Sequence, residues 1–275
     1  MEEYAKAKAM LFPMCEKTAA NADDPWTETV MKDAPQPVYT FSAKSDSASL
    51  TARDIRLAPS GVRFCALEEG ELVRVKTNLP GQFSVYNALA AISCARLLGV
   101  SLADAAAALE TAHGAKGRVE PVPTDGDYSI FIDYAVTPDA IENVLTTLRG
   151  IAPKRLVMLF GAGGDRDRKK RPIMGKLSAD IADFVIVTSD NPRTEDPMSI
   201  IEEILPGVRA GKAPYKVICD RPEAIRWAID HHEPGDVILL CGKGHEDYQI
   251  IGHEKIHMDE REIVADYLAE RAKRT

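Results

Sequence analysis

Cysteine is sparse and unpaired in pattern: Cys15, Cys65, Cys94, Cys219 and Cys241 are widely spaced, with no C-x-x-C among them. An odd, scattered set gives no disulfide framework and fits reduced thiols of the cytosol. No run of about 18 apolar residues is present, so a membrane-spanning helix has no candidate. The first residues are acidic where a secretory signal carries positive charge, and a cytoplasmic location is expected. Basic residues are outnumbered, 34 against 42 acidic, for a net charge of -8. That excess argues against nucleic acid as a partner, because phosphate binding is driven by Lys and Arg patches that release counterions. Two catalytic signatures are also missing. There is no Gly-x-x-x-x-Gly-Lys-Ser/Thr to cradle nucleotide phosphates and no Gly-x-Ser-x-Gly nucleophile elbow. Histidine offers no metal cluster either: His231 and His232 are adjacent and would diverge on a helix, and His245, His253 and His257 lack cysteines at zinc spacing.

What remains is a globular chain of 275 residues, 45% hydrophobic and 28% charged, long enough for two modest cores. The pattern changes near Val119 to Asp127. Before it, Leu50 to Arg56, Gly61 to Cys65 and Leu72 to Val75 alternate like half-buried strands, expected at the edge of a mixed sheet. Phe83 to Leu98 has helical spacing and stops before Gly99, and Ser101 is an N-cap for a second helix through Ala103 to Ala112. After the change, strand and helix signals alternate: Ser129 to Tyr134, Pro138 to Arg149, Arg155 to Phe160, Pro172 to Ala182, Phe184 to Thr188, then strands at Lys216 to Cys219 and Val237 to Cys241. Alternation of this kind predicts βαβ units, an α/β fold and a Rossmann-like, doubly wound parallel sheet. Thr137-Pro138 and Asp196-Pro197 each place an N-cap ahead of a proline at the first helical position, and Asp259 with Glu262 has capping-box spacing.

Two runs carry the chemistry. Asp190-Asn191-Pro192-Arg193 follows one apolar strand and Gly242-Lys243-Gly244-His245-Glu246 follows another, so both project where ligands bind in an open parallel sheet. Arg193 suits a carboxylate and Glu246 an ammonium, which points to a small molecule bearing both groups. The strip Arg166-Asp167-Arg168-Lys169-Lys170-Arg171, interrupted by an acid, reads as a site facing a phosphate or carboxylate. Gly161-Ala162-Gly163 begins a dinucleotide fingerprint, but Arg166 fills its third glycine position, so a nicotinamide-dependent reaction has little support.

These runs resemble the motifs of the MurE-type Mur ligases that add meso-diaminopimelate to the peptidoglycan stem peptide, in which the DNPR form marks diaminopimelate-adding enzymes. Gly117-Arg118-Val119-Glu120, Asp133-Tyr134-Ala135-Val136-Thr137-Pro138-Asp139 and Gly163-Gly164-Asp165-Arg166-Asp167 resemble further segments of that family, in the same order. Met1-Glu2-Glu3-Tyr4 with Lys8 resembles the helix that carries its carbamylated lysine. The resemblance implies that residues 1–120 are the carboxyl-terminal part of the central ATPase domain and 121–275 the carboxyl-terminal amino-acid-binding domain. It implies a cytoplasmic ligase in which ATP and a magnesium ion activate a UDP-N-acetylmuramoyl dipeptide as an acyl phosphate, which the amino group of meso-diaminopimelate attacks. By the same resemblance Lys8, as a carbamate, faces the magnesium ion, while Asn87, Arg118 and Asp133 contact the nucleotide. Arg166, Asn191, Arg193, Gly242 and Glu246 form the diaminopimelate pocket. Lysine there would leave Arg193 facing no anion, at a cost of roughly 1 to 3 kcal/mol. The sequence departs from the family at three places: the P-loop is missing, Val136 stands where a histidine is usual, and Ser84 where an asparagine is frequent. The expectation is a chain begun at an internal start codon or cut there, inactive alone. The alternatives are one half of a split ligase with a separate amino-terminal half, or a non-catalytic amino-acid-binding module.

Overall fold

In the computed structural model, which describes residues 2–274, the chain divides into two units between His113 and Gly114. Met1, part of the first motif, lies outside the described residues. The first unit runs α1 (Glu2–Ala9), β1 (Ala19–Asn21), α2 (Thr27–Val30), β2 (Tyr39–Ser42), β3 (Leu50–Ala58), β4 (Gly61–Glu68), β5 (Glu71–Thr77), α3 (Gln82–Leu97) and α4 (Leu102–Leu109). Its sheet has the order β1-β2-β3-β4-β5, parallel as far as β3 and antiparallel beyond it. The three alternating stretches were expected at the edge, yet β3 and β4 are interior and only β5 closes the sheet. The reason is that β1 and β2 are too short to leave an alternating signature of their own. Val62, Phe64, Ala66 and Val75 pack against Val85, Leu89 and Ile92 of α3 and Leu102 and Ala105 of α4. Ser101 caps α4 by accepting from the Asp104 N–H.

The second unit continues with β6 (Glu120–Val122), β7 (Ser129–Asp133), α5 (Pro138–Arg149), β8 (Leu156–Phe160), α6 (Lys170–Ile181), β9 (Phe184–Val187), α7 (Pro197–Ala210), β10 (Tyr215–Val217), α8 (Arg221–Asp230), β11 (Val237–Cys241), the hairpin β12 (Tyr248–Ile251) and β13 (Glu254–His257), and α9 (Glu260–Ala272). Its sheet order is β10-β9-β8-β11-β7-β6, all parallel except β6, which pairs antiparallel with β7 at the edge. Ile130, Ile132, Val157, Leu159, Ile186, Ile238 and Leu240 face α8 and α9, where Ala224, Ile225, Ile229 and Val264 complete a core. The alternate residues, such as Phe131, Met158 and Leu239, are fully buried on the other side, and α5, α6 and α7 pack side by side. Both faces being covered explains why these strands read as continuous apolar runs.

Local signals set the helix starts. Thr137, Asp196 and Asp220 each accept from a first-turn N–H, and each stands ahead of a first-turn proline. Asp259 caps α9 through the Arg261 N–H, but Glu262 does not complete the expected capping box: it pairs with His257 of β13 instead. The sheet places the switch of chain direction beside β11. From β8 the chain steps outward through β9 and β10, then returns to insert β11 between β8 and β7. Such a switch opens a crevice at the strands' carboxyl ends.

Candidate functional site

The loops leaving β7, β8, β9 and β11 line one cavity at those carboxyl ends. Tyr134 and Val136 come from the first, Gly161, Gly163 and Arg166 from the second, Asp190, Asn191 and Arg193 from the third, and Gly242 and Glu246 from the fourth, with Lys170 and Met174 reaching in from α6. All five residues expected to recognise the amino acid, Arg166, Asn191, Arg193, Gly242 and Glu246, therefore meet in one place. Gly242 has a φ of 116°, and a Cβ there would lie 2.5 Å from Asp190 Oδ2, so only glycine lets the two loops close together.

Arg193 is held rigidly. Its φ is 53°, its N–H donates to Ile250 O (3.0 Å), its carbonyl accepts from the Gly252 N–H (2.7 Å), and Nη1 donates to Gly164 O (2.8 Å). The hairpin β12–β13, which the sequence reading did not foresee, supplies two of those ties. Asn191 is fixed as firmly: Nδ2 donates to Glu246 Oε2 (2.9 Å), while Oδ1 accepts from Lys243 Nζ (2.7 Å) and the Ile250 N–H (2.9 Å).

Lys243 is the residue that sequence reasoning missed. It is fully buried, with Nζ 3.1 Å from Glu246 Oε2 and 3.7 Å from Asp190 Oδ1. Burial pulls its ammonium below the ordinary lysine range, opposed chiefly by Asp190. The lysine stands between two carboxylates at the cavity wall. Glu246 thus shares Oε2 with Asn191 and Lys243, and its Oε1 has the Tyr134 hydroxyl at 3.5 Å.

The basic strip does not act as a unit. Arg166 and Lys170 line the cavity, but Arg168 pairs with Glu203, and Arg171 is buried against Glu195 and Glu203. The start of α6 at Lys170 explains the split, since helical spacing turns Arg171 inward. The Arg171 hydrogen bond is the main cause that holds the Glu195 carboxyl down at about 2, well below the ordinary glutamate range. A depressed carboxyl contributes stability that is complete above its unfolded pKa and lost as pH falls through the folded one. Stability of this chain should therefore decline between about pH 4.5 and pH 2, and Glu195→Gln should flatten that slope in urea-denaturation midpoints measured across the range. An unchanged slope would mean that the pair is not formed in solution.

The residues expected at the nucleotide are distributed differently. Asp133 is buried, and its oxygens accept from the backbone N–H of Val119 (2.9 Å) and of Ala135 (2.8 Å). Burial raises its pKa, while those two N–H groups and Arg118 lower it. Its visible work is to hold Val119, whose φ of 43° is costly for a β-branched residue. Next to it, Arg118 is exposed, 5.8 Å from the Tyr134 ring centroid. In the first unit Asn87 is exposed on α3, and Lys8 is exposed on α1 over the Tyr4 ring. Lys8 lines a hollow with Tyr4, Phe12, Trp26 and Met31, where Asn21, Asp24 and Thr27 also bring side-chain oxygens but Asp24 is the one carboxylate among the described residues that line it. A magnesium ion takes six oxygens in octahedral array, and among the described residues no three His, Cys, Asp or Glu are grouped to hold a metal. This hollow does not complete such a shell.

Two family models match the chain: the Mur ligase middle domain over residues 1–95 and the Mur ligase glutamate ligase domain over residues 117–244. Among curated proteins, the UDP-N-acetylmuramoyl-L-alanyl-D-glutamate--2,6-diaminopimelate ligase of Caldanaerobacter subterraneus subsp. tengcongensis is 47% identical over 274 residues, which is 99% of this chain and 56% of that protein. The ligase of the same name from Trichormus variabilis is 45% identical over 280 residues, again 99% and 56%. A solved structure of a ligase so named superposes with a TM-score of 0.78 at 34% identity, covering 98% of this chain and 57% of its own. The UDP-N-acetylmuramate-alanine ligase of Thermotoga maritima, at 22% identity and a TM-score of 0.64, covering 98% of this chain and 55% of its own, shares the fold. The chain thus spans just over half the length of these relatives, and within that span both of its units match: it belongs to the Mur ligase family.

Proposed function

We propose that the second unit recognises meso-diaminopimelate, and that the chain is the corresponding part of an ATP-dependent acid–amino acid ligase of peptidoglycan precursor synthesis. The observation that carries this reading is the single cavity in which Arg166, Lys170 and Arg193 stand with Asp190 and Glu246. A molecule with a carboxylate and an ammonium at each end uses both kinds of group, and the relatives' printed names specify such a substrate. Arg193 takes the distal carboxylate, Glu246, oriented by Asn191, takes the ammonium beside it, and Gly242 keeps the floor open. The buried Lys243 pairs with both Glu246 and Asp190 and keeps them together at the cavity wall.

In the reaction of the whole ligase, this part orients the attacking amino group toward an acyl phosphate made from the UDP-N-acetylmuramoyl dipeptide, a contribution of positioning. Arg118 and Asn87 are proposed as nucleotide contacts, with Asp133 acting through the segment that presents Arg118. Lys8, as a carbamate, would supply one magnesium ligand of a shell whose other donors its hollow does not provide. A cytoplasmic location is part of the proposal. Among the described residues no helix is long and apolar enough to cross a membrane.

A second reading, a binding module without catalysis, is favoured by Val136, which lines the cavity and whose side chain has no hydrogen-bonding atom. A calorimetric titration of the purified chain with meso-diaminopimelate, with L-lysine as control, tests the recognition claim. Saturable binding of diaminopimelate is expected, lysine binding at least about tenfold weaker, and Arg193→Ala should remove the difference. Equal binding of the two amino acids, or none, would overturn the specificity reading.

A further inference from the structure

The two loops that carry the cavity's acids and amides leave β9 and β11, and these strands are not neighbours, because β8 lies between them. No ladder hydrogen bond can therefore set the distance between the loops. A side chain does so from below. The Arg221 guanidinium, at the first residue of α8, is completely buried. Its Nη1 donates to Ser189 O (3.3 Å) and its Nη2 to Cys241 O (2.9 Å). Ser189 precedes Asp190 and Cys241 precedes Gly242, so one planar group grips the last carbonyl before each motif.

The guanidinium is itself fixed by Glu260, the first residue of α9, whose Oε1 accepts from Nε at 2.8 Å. Glu260 is fully buried, and its Oε2 has no hydrogen-bond partner among the described residues. An ion pair in such a place is a poor source of stability, since apolar residues of similar volume often serve as well or better. A planar fork with divergent donors does what an apolar pair cannot, which is to hold two backbone carbonyls at a set spacing. We propose that Arg221, aligned by Glu260, is a positioning residue that sets the gap between the Asp190–Arg193 and Gly242–Glu246 loops, and through it the affinity of the amino-acid pocket. The proposal rests on the reading of that cavity as the diaminopimelate site.

The test is the double variant Arg221→Met with Glu260→Met, which removes the fork and leaves an apolar pair. Its thermal unfolding is expected to stay cooperative. Diaminopimelate affinity in calorimetry should fall about tenfold to a hundredfold, the scale on which a small misplacement acts, and amide exchange should quicken at residues 189–193 and 242–246 but not in β7 or β8. A folded double variant with unchanged affinity and unchanged loop exchange would overturn the proposal. Should the double variant not fold, Arg221→Lys serves: its ammonium can pair with Glu260 but cannot span both carbonyls, and the same two readouts decide. If the unsubstituted chain binds no diaminopimelate, the pocket reading fails, whereas loop exchange in the variants still decides whether Arg221 ties the loops.

Discussion

Lys243→Met should destabilise the second unit by about 3 kcal/mol, the scale of removing one partner from a buried charge cluster, and should abolish amino-acid binding. Methionine fills a similar volume without the ammonium, so packing is nearly preserved and the loss is electrostatic. Two carboxylates, Asp190 and Glu246, would then lose the ammonium they share, and Asn191 would lose one of the two donors that fix its amide oxygen. Urea denaturation at pH 7 and diaminopimelate titration measure the two parts. A variant as stable as the unsubstituted chain at pH 7 would show that Lys243 does not neutralise the acids.

Gly117→Ala should be nearly as severe, roughly 2 to 4 kcal/mol, the range of overpacking and disallowed-backbone changes. Gly117 has a φ of 73°, and a Cβ there would come within 2.2 Å of the backbone of Gly244 and His245. Those contacts are main chain, so no rotamer change relieves them. Around the approach, the Gly117 N–H donates to Glu120 (2.6 Å), Glu120 pairs with Arg261, and Arg261 donates to Gly244 O (2.9 Å). Alanine would push apart the Gly117–Glu120 segment and the Gly242–Glu246 loop together. The check is a urea midpoint combined with diaminopimelate titration, and an unperturbed midpoint would mean that the main chain at Gly117 yields to a methyl group without cost.

The parallel core was legible because its strands are buried on both faces and its helices open on Thr137-Pro138 and Asp196-Pro197, signals that need no tertiary context. The cavity was legible for the same reason, since its motifs follow apolar strands directly. What escaped is what depends on partners distant in the chain. Arg221 and Arg171 look like ordinary helix-start arginines, and only the fold shows them buried against acids 39 and 24 residues away. Lys243 lies inside a motif that was recognised, yet nothing local tells a buried lysine from an exposed one. The strip from Arg166 to Arg171 was read by composition, whereas helical geometry divides it. The hairpin β12–β13 is built from residues that are largely exposed, so burial left no apolar alternation to find.

That hairpin changes how portable the Asp190–Arg193 loop is. Its main chain pairs with Arg193, and the Gln249 side chain donates to Asp190 O (2.6 Å), so about sixty residues separate two strips of chain that behave as one part. A graft of Asp190–Arg193 into a related sheet would arrive with Arg193 unsupported, free to swing and indifferent to what it meets. The transferable unit is the loop together with residues 248–257.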